Sequence, residues 1–426
     1  MTDKNLFLYD LAIVAIFKNE GKYLKEWLNY HLLAGVEHFY LYNNDSSDDY
    51  AEVLAPYVEN NLVTLIDFPG KSMQSPAYHD ALEKYRFDCR YMAFIDLDEF
   101  IFPKTNRSIA EVTDEILLQN PKAQALAVSW RCFGSNEQKT ADYSRGVLER
   151  FTQRANDDWK NCISREKNFL WIGNMYVKLI ANPRSVKFFA SPHVGVHFGT
   201  NYSVNERGEE IISYENKSMC AEKIALNHYM IKTWEEYMIK KNRGYACAES
   251  NPYDKIFFDE HDRNEIFDDG ILKYRAARAE NFSLESDAER LRRAENALIK
   301  TLTQYSPFNA PPEIFAGKLE TFLTCRALAE KLGTKIGNKT TEEYALVWIY
   351  QSFMQKNSLT YAELQLFLSA LPEILARPFT ICKLLNKITQ EKIFPIIYAD
   401  LKREQNWGGF YDFKYIQRLL NLMIEV

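Results

Sequence analysis

Tyr91-Met-Ala-Phe-Ile-Asp-Leu-Asp-Glu-Phe100 is a short apolar run that delivers two carboxylates, Asp96 and Asp98, at its C-terminal end. In an open α/β sheet, ligands bind in the crevice beyond the carboxyl ends of the strands. Acidic residues emerging there can hold a hard divalent cation through oxygen, and the cation in turn holds phosphates. An i, i+2 spacing sends both carboxylates to one side of an extended segment and Glu99 to the other. The same pair can instead cap a helix or decorate a turn, so the flanking sequence has to decide.

Upstream, Leu11-Ala-Ile-Val-Ala-Ile-Phe17 reads as a buried parallel strand, followed by Lys18-Asn-Glu-Gly21 and an amphipathic helix over Tyr23 to Leu33 with Leu24, Trp27, Leu28 and His31 on one face. A strand ending at Tyr42, a polar loop over Asn43 to Asp49, a helix, a strand from Leu62 to Phe68 and a helix from about Pro76 to Cys89 complete the approach to Asp96. Strands alternating with helices at this spacing predict a doubly wound, mostly parallel α/β sheet of Rossmann-like type. Three strands then end in polar loops on one edge, at Asn19/Glu20, Asn44/Asp45/Asp48 and Asp96/Asp98. That is the geometry of a nucleotide pocket. No Gly-x-Gly-x-x-Gly turn follows the first strand and no P-loop is present, which argues against a dinucleotide fold and an NTPase.

In this order the chain resembles the inverting glycosyltransferases of the GT-A fold, near family 2 and more specifically family 92. The resemblance rests on Phe17-Lys-Asn-Glu20, Glu26-Trp27, Tyr30-His31, Gly35-Val36, Asn44-Asp-Ser-Ser-Asp48, Gln74 with Tyr78, Asp88 and Cys89, and Phe94-Ile-Asp-Leu-Asp-Glu-Phe100. It continues through Ser129-Trp-Arg-Cys-Phe-Gly-Ser135, Lys178-Leu-Ile-Ala-Asn-Pro183, His193, His197, Asn227-His-Tyr229, Lys232-Thr-Trp-Glu-Glu-Tyr237 and Lys241-Asn-Arg-Gly244, covering roughly residues 10 to 250. It implies transfer of a hexose, commonly galactose from UDP-galactose, to a saccharide or glycolipid acceptor with a divalent metal and inversion, in the synthesis of a surface glycan such as lipopolysaccharide or capsule.

Site assignments follow. Asp98 is the expected protein ligand to Mn²⁺ or Mg²⁺, with Asp96 on the metal through water or on the ribose. The resemblance adds His228, with His193 and His197 as competitors, and imidazole suits Mn²⁺. Asn19, Glu20, Asn44, Asp45, Asp48 and Gln74 are donor-recognition candidates, although Asn and Asp after a strand also simply form turns. Lys178, Lys232, Lys241 and Arg243 are candidates for the diphosphate, since cations favour its developing charge. Read as a helix, this stretch stacks Lys232, Glu236 and Lys240 one turn apart and ends at Arg243. Inversion needs a general base for the acceptor hydroxyl. The family's clear Glu-Asp is missing here, which leaves Glu137, Asp158 (or Asp157) and His193. Trp130, Phe133, Trp159, Trp171 and Tyr176 lie in the acceptor half as core or as sugar-binding faces.

With 426 residues, 46% of them hydrophobic, the chain can bury more than one core. A transferase domain over 1–275 and an all-α region over 276–426 are expected, the latter from helical patterns at 284–303, 312–332, 341–356, 360–371 and 379–389. The helical region would serve as a packing or homodimer element. A peripheral membrane platform is the alternative, hinted at by Lys402-Arg403, Trp407 and Phe410-Tyr411. A formal charge of -6 argues against nucleic acid. Seven scattered cysteines, no signal peptide and no long apolar run point to a cytoplasmic enzyme, at most peripheral at the membrane's inner face. A nucleotidyltransferase making sugar nucleotides, or a non-catalytic glycan-binding protein, are the alternatives.

Overall fold

A computed structural model describes residues 3–160, 173–197, 201–244, 253–280, 282–304 and 319–334. Two compact units emerge, Leu8–Arg290 and a second made of Met1–Phe7 with Leu291–Val426. The expected boundary at 275 falls within a helix, Gly270–Ala279, of the first unit.

The strands are β1 Tyr9–Phe17, β2 His38–Asn43, β3 Val63–Asp67, β4 Cys89–Phe94, β5 Glu99–Pro103, β6 Ala123–Cys132, β7 Gln153–Arg154, β8 Val177–Ala181, β9 Val186–Ser191, β10 Val194–His197, β11 Tyr202–Val204, β12 Glu210–Ile211, β13 Ile224–His228 and β14 Ile266–Phe267. The helices are α1 Gly21–Leu33, α2 Tyr50–Glu59, α3 Gln74–Tyr85, α4 Ile109–Gln119, α5 Val147–Arg150, α6 Trp234–Arg243, α7 Lys255–His261, α8 Gly270–Ala279, α9 Asp287–Gln304 and α10 Leu319–Leu332. Cys89 opens β4 instead of closing the preceding helix, because Asp88 ends the turn after α3 and its carbonyl accepts from Tyr9 on β1.

The main sheet runs β12-β11-β6-β8-β4-β1-β2-β3, and β13 adds to the far half of β6 and carries β5. The strands β1 to β4 are mutually parallel; β8 is antiparallel to both β4 and β6. The order therefore reverses at β1, whose neighbours are β2 and β4. A crevice opens at such a reversal, beyond the carboxyl ends of the strands.

Burial explains why β1 needs no polar face. Leu11, Ile13, Ala15 and Phe17 join one core with Leu24, Trp27 and Leu28 of α1, while Ala12, Val14 and Ile16 join another with Ala77, Tyr78 and Ala81 of α3. Helices on both faces require a strand that is apolar throughout. His31 belongs to the first core: Nδ1 donates to the Trp27 carbonyl, Nε2 accepts from Ile101, and burial pushes its pKa down to about 3, so the ring stays neutral. At the end of α1, Gly35 has φ of 95° and a Cβ there would meet the Cβ of Ser108 at 2.6 Å, so both backbone and space demand glycine.

α9, which crosses the boundary between the units at Arg290, overlaps the expected stretch 284–303 and ends one residue beyond it, and α10 of the second unit lies within 312–332. The three helices expected beyond residue 340, and the Lys402 to Tyr411 cluster, lie outside the described residues. Among the described residues no helix is long and apolar enough to cross a membrane.

Candidate active site

The chain does not stay extended through the two aspartates. β4 ends at Phe94, Leu97 and Asp98 form a turn, and the Glu99 amide donates to the Asp96 carbonyl over 3.1 Å. The turn sends the two aspartates to different partners, while Glu99 lies 3.9 Å from the same Lys178 that pairs with Asp96 and so does not face away from it, which corrects the expected alternation. Asp96 accepts from Gln74, at the start of α3, over 2.5 Å and pairs with Lys178 of β8 at 3.0 Å. Asp98 lies 3.4 Å from His228 Nε2 through one oxygen and 2.6 Å from Lys240 Nζ through the other.

Sheet register makes these meetings. His228 sits opposite Glu99 in the β5–β13 pair and opposite Cys132 in the β6–β13 pair, and the Tyr229 amide donates to the Asp98 carbonyl. Lys178 stands next to Val177, the β8 residue opposite Ser129. Helix α6 supplies Lys240, whose ammonium also donates to the Met230 carbonyl.

Glu99 is fully buried, and one carboxyl oxygen accepts from the Asp96 amide while the other has no partner among the described residues. Burial raises its pKa well above the ordinary value; Lys178 opposes this, and Asp96 and Asp98 reinforce it. Asp98 goes the other way. Burial alone would raise it, but Lys240, His228 and Lys232 hold it well below the usual carboxylate range. Two neighbouring carboxyl groups are thus pushed in opposite directions, Glu99 up and Asp98 down.

Lys232 is buried, its ammonium 4.6 Å over the Tyr23 ring, and it forms no ion pair among the described residues. Burial lowers its pKa against the pull of Asp98 and Glu20. Lys232 is not helical: it has φ of 57° and precedes Thr233, the cap of α6. Glu236, Lys240 and Arg243 are the members of one helical face. Arg243 pairs with Glu20 at 2.5 Å and donates to the Lys18 carbonyl, tying α6 to the end of β1.

The remaining donor-recognition candidates mostly lock loops. Asn19, with φ of 52°, accepts from the Ser47 amide; Asn44 donates to the carbonyls of Phe68 and Gly70; Asp45 accepts from Gly70; and Asp48 accepts from the first amide of α1, at Gly21. Their oxygens and amides tie together the loops after β1, β2 and β3, the ordinary work of Asn and Asp in turns. One Asp48 oxygen remains buried and unpartnered among the described residues.

Of the three base candidates, His193 lies beside the cluster, its ring 5.3 Å from Trp130, which packs 4.2 Å from His228. Its Nδ1 faces the Val177 carbonyl at 2.9 Å and so carries the proton, leaving Nε2 as the acceptor. Burial and then Lys178 push its pKa down to about 3. Glu137 and Asp158 sit on exposed turns and make no hydrogen bond or ion pair among the described residues. His197 is held between Ser185 and Ser203.

Sequence reasoning placed Lys240 on the helical face without giving it a role and missed the role of Glu99. Lys240 had a legible signal: Thr233-x-x-Glu236 is a capping box that starts the helix at Trp234, two residues after Lys232, and puts Lys240 one turn beyond Glu236.

Among the described residues no group of three or more His, Cys, Asp or Glu side chains converges as a ready metal site, and Lys178 and Lys240 already neutralise Asp96 and Asp98. Asp98 Oδ1 and His228 Nε2 are separated by 3.4 Å, near the ~3 Å edge expected between adjacent ligands held at about 2.1 Å. Asp96 stands two residues away, with its side chain one-third exposed.

The glycosyltransferase family 92 model matches residues 14–257, more than half the chain. A family 92 protein of Ricinus communis is 26% identical over 147 residues, 34% of this chain and 26% of its own length. A galactan beta-1,4-galactosyltransferase of Arabidopsis thaliana is 33% identical over 99 residues, 21% of this chain and 19% of its own. A beta-1,4-galactosyltransferase of Caenorhabditis elegans is 21% identical over 262 residues, 58% and 54% of the two chains. The chain thus spans about a quarter of the first relative and about half of the nematode one. Its family match takes in β4, the Asp96–Glu99 turn, β13 and α6, and the chain belongs to glycosyltransferase family 92.

Proposed function

We propose that this protein transfers a hexose, most simply galactose from UDP-galactose, to a saccharide hydroxyl with inversion at the anomeric carbon. The observation that carries the reading is the strand-end constellation in which Asp98 lies between His228 and Lys240 while Asp96 is held by Gln74 and Lys178. Asp98, His228 and Asp96 would hold Mn²⁺ or Mg²⁺, which when bound supplies Lewis-acid neutralisation of the leaving diphosphate. Lys232, Lys240 and Lys178 provide fixed positive charge toward the same group in a buried setting, where such charges count for more than in water.

The acceptor oxygen attacks the anomeric carbon as the bond to the diphosphate oxygen breaks. UDP leaves with that electron pair, and the hydroxyl proton passes to a base. His193 fits this role better than Glu137 or Asp158, because Nε2 is its unprotonated nitrogen and its ring adjoins Trp130 and Tyr176. Since its pKa is about 3, the lone pair is present across the neutral range. The acidic limb of kcat/KM therefore should not fall at the ordinary histidine value near 6.5. A single limb at 6.5 that disappears in His193→Gln would contradict this protonation state.

The test of the function is UDP release and product stereochemistry with UDP-galactose, UDP-glucose, UDP-N-acetylglucosamine, GDP-mannose and CMP-sialic acid, each with Mn²⁺ or chelator. Metal-dependent UDP release with a β-linked product is expected from UDP-galactose. Silence with every donor under both conditions would sink the transferase reading, and pyrophosphate release would revive a nucleotidyltransferase.

A further inference from the structure

A file of aromatic rings leads from the carboxylate cluster to the protein surface. Trp130 lies 4.2 Å from His228 and 4.7 Å from Tyr176, and Tyr176 lies 5.7 Å from Tyr214. Exposure rises along the file: Trp130 is buried, Tyr176 half-buried, Tyr214 46% exposed and its neighbour Ile212 81% exposed. The file stands on the same sheet edge as the site. β8 begins there, the Val177 amide donates to the Tyr214 carbonyl, the Asn216 amide donates to Met175, and the next residue of β8, Lys178, reaches Asp96.

Two polar atoms at the inner end have no partner among the described residues, Trp130 Nε1 and His228 Nδ1, both on buried side chains. A buried indole N–H without an acceptor is costly and uncommon in a finished structure. A purely apolar occupant would leave both unsatisfied.

Resting on the transferase reading above, we propose that this ring file is the platform for the accepting saccharide. Apolar faces of its hexopyranose rings lie against Tyr176 and Tyr214, and hydroxyls of the innermost residue engage Trp130 Nε1–H and His228 Nδ1. Aromatic faces with a few convergent polar atoms are how ligand sites combine affinity with orientation. Continuity with His228 brings the innermost hydroxyl toward the reacting centre.

The probe is β-1,4-galactobiose, chosen because relatives are named as beta-1,4-galactosyltransferases, with binding followed by saturation-transfer NMR in the presence of UDP and Mn²⁺. Tyr214→Ala should weaken binding about three- to tenfold, Tyr214→Phe should restore it, and Trp130→Phe, which keeps a ring but removes the N–H, should weaken it about tenfold. Wild-type affinity in both Tyr214→Ala and Trp130→Phe, or no binding by the wild type at tens of millimolar, would overturn the platform. UDP release from UDP-galactose without acceptor, measured on the same wild-type sample, tests the transferase reading separately. UDP release without saccharide binding rejects the platform alone, and saccharide binding weakened in Tyr214→Ala with no UDP release from any donor, with or without the saccharide, rejects the transferase reading alone.

Discussion

Asp98→Asn is expected to lower kcat for sugar transfer by about three orders of magnitude in a protein that still folds. Loss of one preorganised electrostatic contact at a developing charge typically costs about 10²- to 10³-fold, and a lost metal ligand adds to that. Asparagine keeps the shape but not the charge. Asp98 is ionised in the folded protein despite its burial, because Lys240, His228 and Lys232 all face it. Its replacement leaves those cations crowded with only Asp96 and Glu20 to offset them, so a lower Tm with an unchanged circular-dichroism spectrum should accompany the loss. Retention of a tenth or more of wild-type kcat would show that Asp98 does not serve the leaving group.

Removing the Arg150 guanidinium should have the largest effect on stability. Arg150 and Glu236 form a two-bonded pair at 2.8 and 2.9 Å, both side chains 1% exposed. The Glu236 carboxylate also accepts from the Tyr23 hydroxyl and from the amide and hydroxyl of Thr233, so every lone pair is used. Breaking a buried pair by deleting one partner costs about 3–5 kcal/mol, because the survivor is left charged and dry. Arg150→Met should show that loss in urea denaturation. Activity should fall with it, since the pair anchors the start of the helix that delivers Lys240 and Arg243. A loss under 1 kcal/mol would contradict the assignment.

The same pair fixes a pH dependence. Burial alone would raise the Glu236 pKa, but hydrogen bonds from Arg150, the charge of Lys232 and the Thr233 contacts bring it down to about 2. A folded-state value below the unfolded one means stabilisation that is full above the unfolded carboxylate value near 4.5. It is lost progressively as pH falls toward 2. In Glu236→Gln this acid-side slope should flatten, as read from Tm between pH 5 and 3.

The parallel half of the sheet was legible because its strands are buried on both faces: nothing but apolar residues can occupy Leu11 to Phe17, and the helices between strands keep their own period. The loops that end those strands were legible in place but not in orientation. An i, i+2 rule assumes extended backbone, and the turn at Leu97–Asp98 breaks it, so the partners of Asp96, Asp98 and Glu99 could not be read from spacing. Nor does sequence say whether an Asn or Asp points at a ligand or into its own loop; Asn19, Asn44 and Asp45 do the latter. Lys240 reaches Asp98 across 142 positions of chain, a long-range meeting set by how α6 docks.

The most direct test of the central claim, that the strand-end acids and His228 hold a metal–UDP unit, is electron paramagnetic resonance titration of Mn²⁺ with and without UDP. The wild type should bind one Mn²⁺ per chain with UDP present, and Asp98→Asn and His228→Ala should each weaken that binding at least tenfold. Equal Mn²⁺ binding in wild type and Asp98→Asn, or UDP affinity unchanged by chelator, would contradict it.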